Sequence, residues 1–186
     1  FTDHECISPD ELRARIERGM YVHIREGTAA QNLTELIRGV TPALSRRCTF
    51  CTDDRDALDI LRRGHINSLL RLAVARGTDP IMAVTMATLN PAECYGLKNK
   101  GGLAPGKDAD VVIVDDLVSF KVRDVFSCGH HIVANGELLE PSTIEMSQFF
   151  PANSVCLGEL TAKSFELTLD SSCANVISVV PQSLFT

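Results

Sequence analysis

The sequence has no continuous apolar run near the ~20 residues that a membrane span requires, and no low-complexity tract. A transmembrane helix is therefore excluded on sequence grounds. It also has no clustered basic stripe, and its 24 acidic residues outnumber 18 basic ones to give a net charge of −6, which argues against nucleic acid as a main partner. Isolated pairs such as Arg46-Arg47 and Arg62-Arg63 read as solvated surface. Cysteine is present but without a framework: the seven thiols, at positions 6, 48, 51, 94, 128, 156 and 173, are odd in number and irregularly spaced. Such usage suits a reducing cytosol better than a secreted disulfide scaffold, so a cytoplasmic protein is expected. Cys48-Thr-Phe-Cys51 has the gap of a zinc knuckle or redox pair, but a strand there sends positions three apart to opposite faces. A structural role is expected for both sulfurs. No signal peptide is visible in a chain that opens on Phe1 rather than Met. With Phe1 at one end and an apolar strand near Thr186 at the other, we expect a piece of a larger enzyme, cut at both ends. A complete barrel of eight strand and helix units needs roughly 250 residues, and the chain has 186.

What is present is a globular composition, 45% hydrophobic and 23% charged, in which strand-like and helix-like segments alternate. Ser8-Pro9-Asp10-Glu11 is a helix start, with Ser8 as cap, Pro9 at the first helical position and Glu11 completing a capping box. That helix carries Leu12 and Ile16 on one face and stops near Gly19. Met20 to Ile24 reads as a strand, Ala30 to Ile37 as a helix, and Cys48 to Cys51 as the next strand. This order predicts parallel pairing in an α/β sheet. Helices dominate from Ala57 to about Tyr95. Ile66, Leu69, Leu70, Ala73 and Val74 share one buried face, Asp79-Pro80 caps a further helix through Met86, and Asn90-Pro91 marks a break and restart. Met82 and Met86 lie one turn apart and read as core.

Composition shifts at Lys98 to Gly106, where glycine and proline cluster. Beyond it, Ala109 to Val114 reads as a buried strand, with Val122 to Phe126 and His131 to Ala134 as short strands around turns at Gly129 and Gly136. Asp110, Asp115, Asp116 and the His130-His131 pair read as turn residues. After Glu140, punctuated by Pro141-Ser142 and Pro151-Ala152, strands are expected over Ser154 to Leu157, Phe165 to Leu169 and Asn175 to Val180, separated by a turn or helix start at Leu160-Thr161-Ala162.

The chemistry concentrates in two short acidic segments that follow strand-like runs, Asp3-His4-Glu5 and Asp53-Asp54. A parallel barrel gathers side chains from the C-terminal ends of different strands at one face. Imidazole and carboxylate there hold a hydrolytic metal while leaving a position for water. One His and one or two Asp fall short of a two-metal site. Taken alone, His4 reads first as a satisfied structural histidine, and Asp53-Asp54 at least as readily as a helix N-cap. His23 and His65 are structural by default.

Several segments together resemble bacterial adenine deaminase, within the amidohydrolase superfamily. They are Thr2-Asp3-His4-Glu5-Cys6, Gly19-Met20-Tyr21, Arg25-Glu26-Gly27-Thr28-Ala29-Ala30, Phe50-Cys51-Thr52-Asp53-Asp54, Gly64-His65-Ile66 and Met86 to Ala92, continuing through Gly102-Leu103-Ala104-Pro105-Gly106 and Ala109-Asp110 to about Leu139. The resemblance implies an α/β fold: residues 1–97 as the C-terminal part of a TIM-type (β/α)8 barrel (its strands six to eight), residues 98–139 as a small β unit, and residues 140–186 as the start of a further C-terminal domain. It implies hydrolysis of adenine to hypoxanthine and ammonia with a divalent metal, two ions of Mn, Fe or Zn in the intact enzyme, and a piece inactive alone. His4 would ligate one metal and Asp53 the other, with Asp53 also taking a proton. Glu5 would deliver a proton to the purine and Asp54 would orient groups beside it. Residues Arg25, Glu26, Gly27 and Thr28 would contact the base. His4 and Asp53 are expected on adjacent strand ends. The partner implied is a small purine base, and a homo-oligomer is compatible with all of this. The rival readings are another amidohydrolase of nucleobases or cyclic amides, and a non-catalytic module.

Overall fold

The computed structural model describes residues 1–140, 156–178 and 180. Three parallel strands lie in the order β1 (Thr2–Asp3), β2 (Tyr21–Arg25) and β3 (Cys48–Cys51). Parallel neighbours need a crossover. The first is α1 (Pro9–Glu17); the second combines α2 (Leu33–Leu36), a 3₁₀ turn at Ile37–Gly39 and α3 (Pro42–Ser45). α1 starts where its sequence dictates: Ser8 Oγ accepts from the Glu11 amide at 3.3 Å, while the Glu11 carboxylate takes the amide of Ile7 at 2.8 Å, one residue before the cap. A cap of this kind contributes ~1 kcal/mol. The helix expected over Ala30 to Ile37 begins only at Leu33. The amides of Ala29 and Ala30 are instead drawn to the Asp54 carboxylate.

Strand alternation divides the sheet chemically. Val22, Ile24, Cys48 and Phe50 face the helices and join Leu12, Leu33, Leu36, Leu69, Ala73, Ala83 and Met86 in one core. Each such aliphatic or aromatic side chain, fully buried, contributes roughly 1.5–3 kcal/mol. The opposite, inner face carries His23, Arg25 and Thr49, all buried and all polar.

The helical stretch resolves into α4 (Ala57–Arg63), α5 (Ile66–Ala75), α6 (Pro80–Ala87) and α7 (Leu89–Cys94). Leu69 and Ala73 are fully buried, with Ile66, Leu70, Val74 and Met82 packed beside the same core. The break falls at Thr88 rather than at Asn90-Pro91. Pro91 sits in the first turn of α7, where its missing N–H leaves no hydrogen bond unmade.

A four-stranded antiparallel sheet follows, ordered β4 (Val111–Val114), β5 (Val122–Ser127), β6 (His130–Ala134) and β7 (Glu137–Leu138). The strand expected to be buried, β4, lies at the edge instead, with Val112 58% exposed. Asp110 accepts the Cys128 amide at 2.8 Å, and Asp116 accepts the amides of Val118 and Ser119, so both serve turns. The sheet is fastened to α5 by Arg71, which donates to the Ser119 carbonyl at 2.8 Å, and by Asn67, which donates to the Phe120 carbonyl at 3.5 Å.

The strands expected over Phe165 to Leu169 and Asn175 to Val180 do not form in the described residues, which show a 3₁₀ turn at Ala162–Phe165 and irregular chain elsewhere. Their apolar pattern has no neighbouring strand to pair with there, and Leu167, Val176 and Ile177 are exposed. Residues 154, 155 and 179 of the expected tail strands, and the punctuation at Pro141-Ser142 and Pro151-Ala152, lie outside the described residues. Among the described residues, no helix is long and apolar enough to cross a membrane.

Candidate active site

At the C-terminal ends of the three parallel strands, four side chains form one chain of contacts. His4 Nε2 lies 3.2 Å from Glu5 Oε1, the other Glu5 oxygen accepts from Arg25 Nη1 at 2.9 Å, and the same Nη1 donates to Asp53 Oδ2 at 3.2 Å. The ends differ in exposure. The Arg25 side chain is 3% exposed, whereas those of His4 and Glu5 are 47% and 48% exposed. A buried guanidinium is tolerated only when its charge is matched, and here two carboxylates match it at the same Nη1. Its Nε is buried with no hydrogen-bond partner.

His4 and Asp53 are not on adjacent strand ends, because β2 lies between β1 and β3. They share one face nevertheless, joined through Glu5 and Arg25. Asp53 has φ +46, a left-handed backbone uncommon outside glycine but more accessible to Asp than to most side chains. The turn it sits in is braced by Thr52, whose hydroxyl lies 3.1 Å from His65 Nε2. His65 thus has a physical part beside the site.

The structure does not bring every sequence-predicted residue into this cluster. Glu26 follows Arg25 and so falls on the helix side of β2; its carboxylate accepts the Leu33 amide, and burial holds it above the usual carboxylate range, opposed by Arg55. Thr28 turns to α4, accepting the Asp56 amide at 2.9 Å and donating to Asp59 at 2.8 Å. Asp54 accepts from Ala29 at 2.7 Å and Ala30 at 3.3 Å. Gly27 makes that approach feasible: a Cβ there would stand 1.7 Å from Asp54 Oδ1. Asp54, Gly27 and Thr28 together dock the loop after β2 onto the turn after β3.

Other candidates resolve as structural. His23 is held on both sides, by the Thr49 hydroxyl at Nδ1 and the Tyr95 hydroxyl 2.9 Å from Nε2, and burial lowers its pKa. Cys48 and Cys51 lie on opposite faces of β3, and burial pushes their thiols up to about 12 and about 11. Neither is poised to become a thiolate ligand. Asn32 escaped the sequence reading altogether. Its buried amide links β2 to the segment after β1, and an Asn between Gln31 and Leu33 carries no signal for this.

Imidazole nitrogen and carboxylate oxygen suit a divalent metal in kind. In number they fall short: among the described residues, no three His, Cys, Asp or Glu side chains are grouped to hold one. His4 and Asp53 are donors of a suitable kind but do not make a centre by themselves.

Residues 3–139 match the amidohydrolase family model, and the chain belongs to the amidohydrolase family. More particularly, it is similar to an adenine deaminase of Nitratidesulfovibrio vulgaris strain Hildenborough, 47% identical over 187 aligned positions that cover 100% of this chain and 32% of that protein. An adenine deaminase 2 of Desulfotalea psychrophila is 42% identical, again over 100% of this chain and 32% of the relative. The chain thus spans about a third of the length of these curated relatives. Among solved structures, a β-aspartyl dipeptidase from Fervidobacterium islandicum AW-1 superposes with a TM-score of 0.58 at 22% identity, covering 77% of this chain and 41% of that one. That likeness shows the fold, a TIM-barrel type shared by metallo-hydrolases.

Proposed function

We propose that the full-length protein is an adenine deaminase, hydrolysing adenine to hypoxanthine and ammonia, and that this chain supplies the last three strand ends of its barrel, a small β unit over 98–139 and the beginning of a further domain over 140–186. The observation that carries the reading is the convergence of His4, Glu5, Arg25 and Asp53 at one sheet end in a chain aligned end to end with adenine deaminases. The amino group at C6 of adenine is a poor leaving group, so the reaction needs a strong nucleophile and a proton donor to the ring. A divalent metal supplies the first by lowering the pKa of water towards ~7. His4 would give one ion a ligand and Asp53 the other, in a two-ion donor set completed elsewhere in the protein. Zn, Fe and Mn all suit such donors.

Glu5 is the proton carrier in this account. It is half-exposed, at the rim where a base would enter, and Arg25 holds one of its oxygens while the other stays near His4. Asp53, beside the same guanidinium, accepts a proton from the nucleophile. Asp54, Gly27 and Thr28 shape the pocket by fixing the loop rather than by touching the base. A net charge of −6 supports a small-molecule purine as partner rather than nucleic acid, and the cysteine pattern supports a cytoplasmic setting. The test is a substrate panel on the full-length enzyme with added Mn²⁺, Fe²⁺ or Zn²⁺. Ammonia release from adenine is expected; inert adenine alongside turnover of cytosine, guanine or a cyclic amide would move the protein elsewhere in its family.

A further inference from the structure

Asn32 stands at the N-cap of α2, where an Asn ordinarily turns its oxygen to the helix amides, yet its side chain makes no capping bond. Its backbone carbonyl accepts the Leu36 amide as a helix start requires, but its side-chain atoms and its own N–H are spent elsewhere. Oδ1 accepts the Arg25 amide at 2.8 Å, Nδ2 donates to the Cys6 carbonyl at 3.0 Å and to the His4 carbonyl at 3.4 Å, and its own amide donates to the Arg25 carbonyl at 3.1 Å. The assignment of oxygen and nitrogen is forced, since an N–H must meet Oδ1 and a carbonyl must meet Nδ2. The residue is only 6% exposed, so water does not replace these bonds readily. Direct pairing between β1 and β2 ends at Asp3 and Val22. Beyond that point the amide of Asn32 takes the place of a peptide group, carrying the strand linkage on to the residues on either side of Glu5.

We propose that Asn32 is a positioning residue for His4 and Glu5: by holding the carbonyls of His4 and Cys6 against the end of β2, it sets the imidazole and the carboxylate over Arg25 and Asp53. This rests on the metal-site reading of His4. The molecule contains its own control. Asn90 is buried as well, at 0% exposed, and its Nδ2 likewise joins two carbonyls, of Ser45 at 2.7 Å and Cys48 at 2.8 Å, at the other end of the sheet. If both amides act only as structural staples, their loss should have the same consequences.

The experiment uses the full-length enzyme with Asn32→Asp, Asn32→Ala and Asn90→Asp, each measured for thermal midpoint, for Zn²⁺ or Mn²⁺ retained against a chelator, and for kcat and KM with adenine. Groups that support metal ligands typically contribute 10–100-fold to metal affinity or activity. Both Asn32 variants are expected to lose metal faster and to drop kcat by ~10–100-fold with KM changed less than about threefold, while Asn90→Asp loses stability and keeps metal and kcat. Asn32 variants that retain metal and kcat as the parent does would overturn the role. Equal losses in Asn90→Asp, or Asn32 variants that fail to fold while Asn90→Asp folds, would also overturn it in favour of a plain structural bond. A parent enzyme that binds no metal would instead sink the reading beneath it. Metal retained by the parent without adenine turnover would leave the Asn32 comparison readable through retention alone.

Discussion

The inner face of the parallel sheet has two ends built from similar residues to opposite effect. From mid-strand back to the start of β3, His23 is enclosed by Thr49 and Tyr95, and Asn90 satisfies the carbonyls of Ser45 and Cys48. At the C-terminal end, Arg25 keeps an unpartnered Nε, Glu5 is half-exposed and Asp53 sits at φ +46. A closed polar network rigidifies; an incompletely closed one, near solvent, leaves groups free to act on a ligand. Under the proposed function, the difference separates where this sheet is held together from where it would do chemistry.

The largest break in that comparison should come from Asp53→Asn in the full-length enzyme. The amide keeps the shape but cannot take a proton, and general acid and base groups contribute ~10²–10⁴-fold. Adenine kcat should fall by at least that order with the circular dichroism spectrum unchanged. Near-normal turnover with full metal content would remove Asp53 from the mechanism.

Gly27→Ala sharpens the boundary between the site and its supports. The new methyl would collide with Asp54 at 1.7 Å, so the Asp54 carboxylate must leave the amides of Ala29 and Ala30. A destabilisation of about 1–3 kcal/mol is expected, with KM raised more than kcat is lowered. An unchanged KM and thermal midpoint would show that the loop is not held this way.

A smaller effect tests the closed end through pH. Burial, with the His4 imidazole adding to it, lowers the His23 pKa, whereas an unfolded histidine titrates near ~6.5. Below that value the unfolded chain binds a proton that the native state does not, so stability falls as pH drops from ~6.5 towards the folded value. Urea midpoints at pH 7.5 and 5.5 should differ less in His23→Gln than in the parent. An equal difference would place the pH dependence on other groups.

The sequence made legible whatever depends on local pattern. Ser8 and Pro9 start α1, the period of Ile66 to Val74 buries one face of α5, and the strand at Cys48 sends its two thiols apart. Long-range partners were not legible. β4 has the composition of a buried strand, but its burial depends on neighbours that pattern does not name, and the apolar tail segments lack partner strands among the described residues. For the site, the resemblance brought out His4, Glu5 and Asp53. It grouped Arg25 with Glu26 and Thr28, although strand alternation sends Arg25 inward and Glu26 to the helices. Asn32 was invisible because a bridging amide is defined by the carbonyls it meets.

The division between the two ends is tested most directly by one paired measurement on full-length Glu5→Gln and Tyr95→Phe: adenine kcat, metal content and thermal midpoint from the same preparations. Glu5→Gln should keep its metal and midpoint and lose ~10²–10⁴-fold in kcat. Tyr95→Phe, which removes the hydroxyl beside His23, should lose about 1 kcal/mol of stability and keep kcat. Metal lost with Glu5→Gln, or a kcat that falls as far in Tyr95→Phe, would contradict the account.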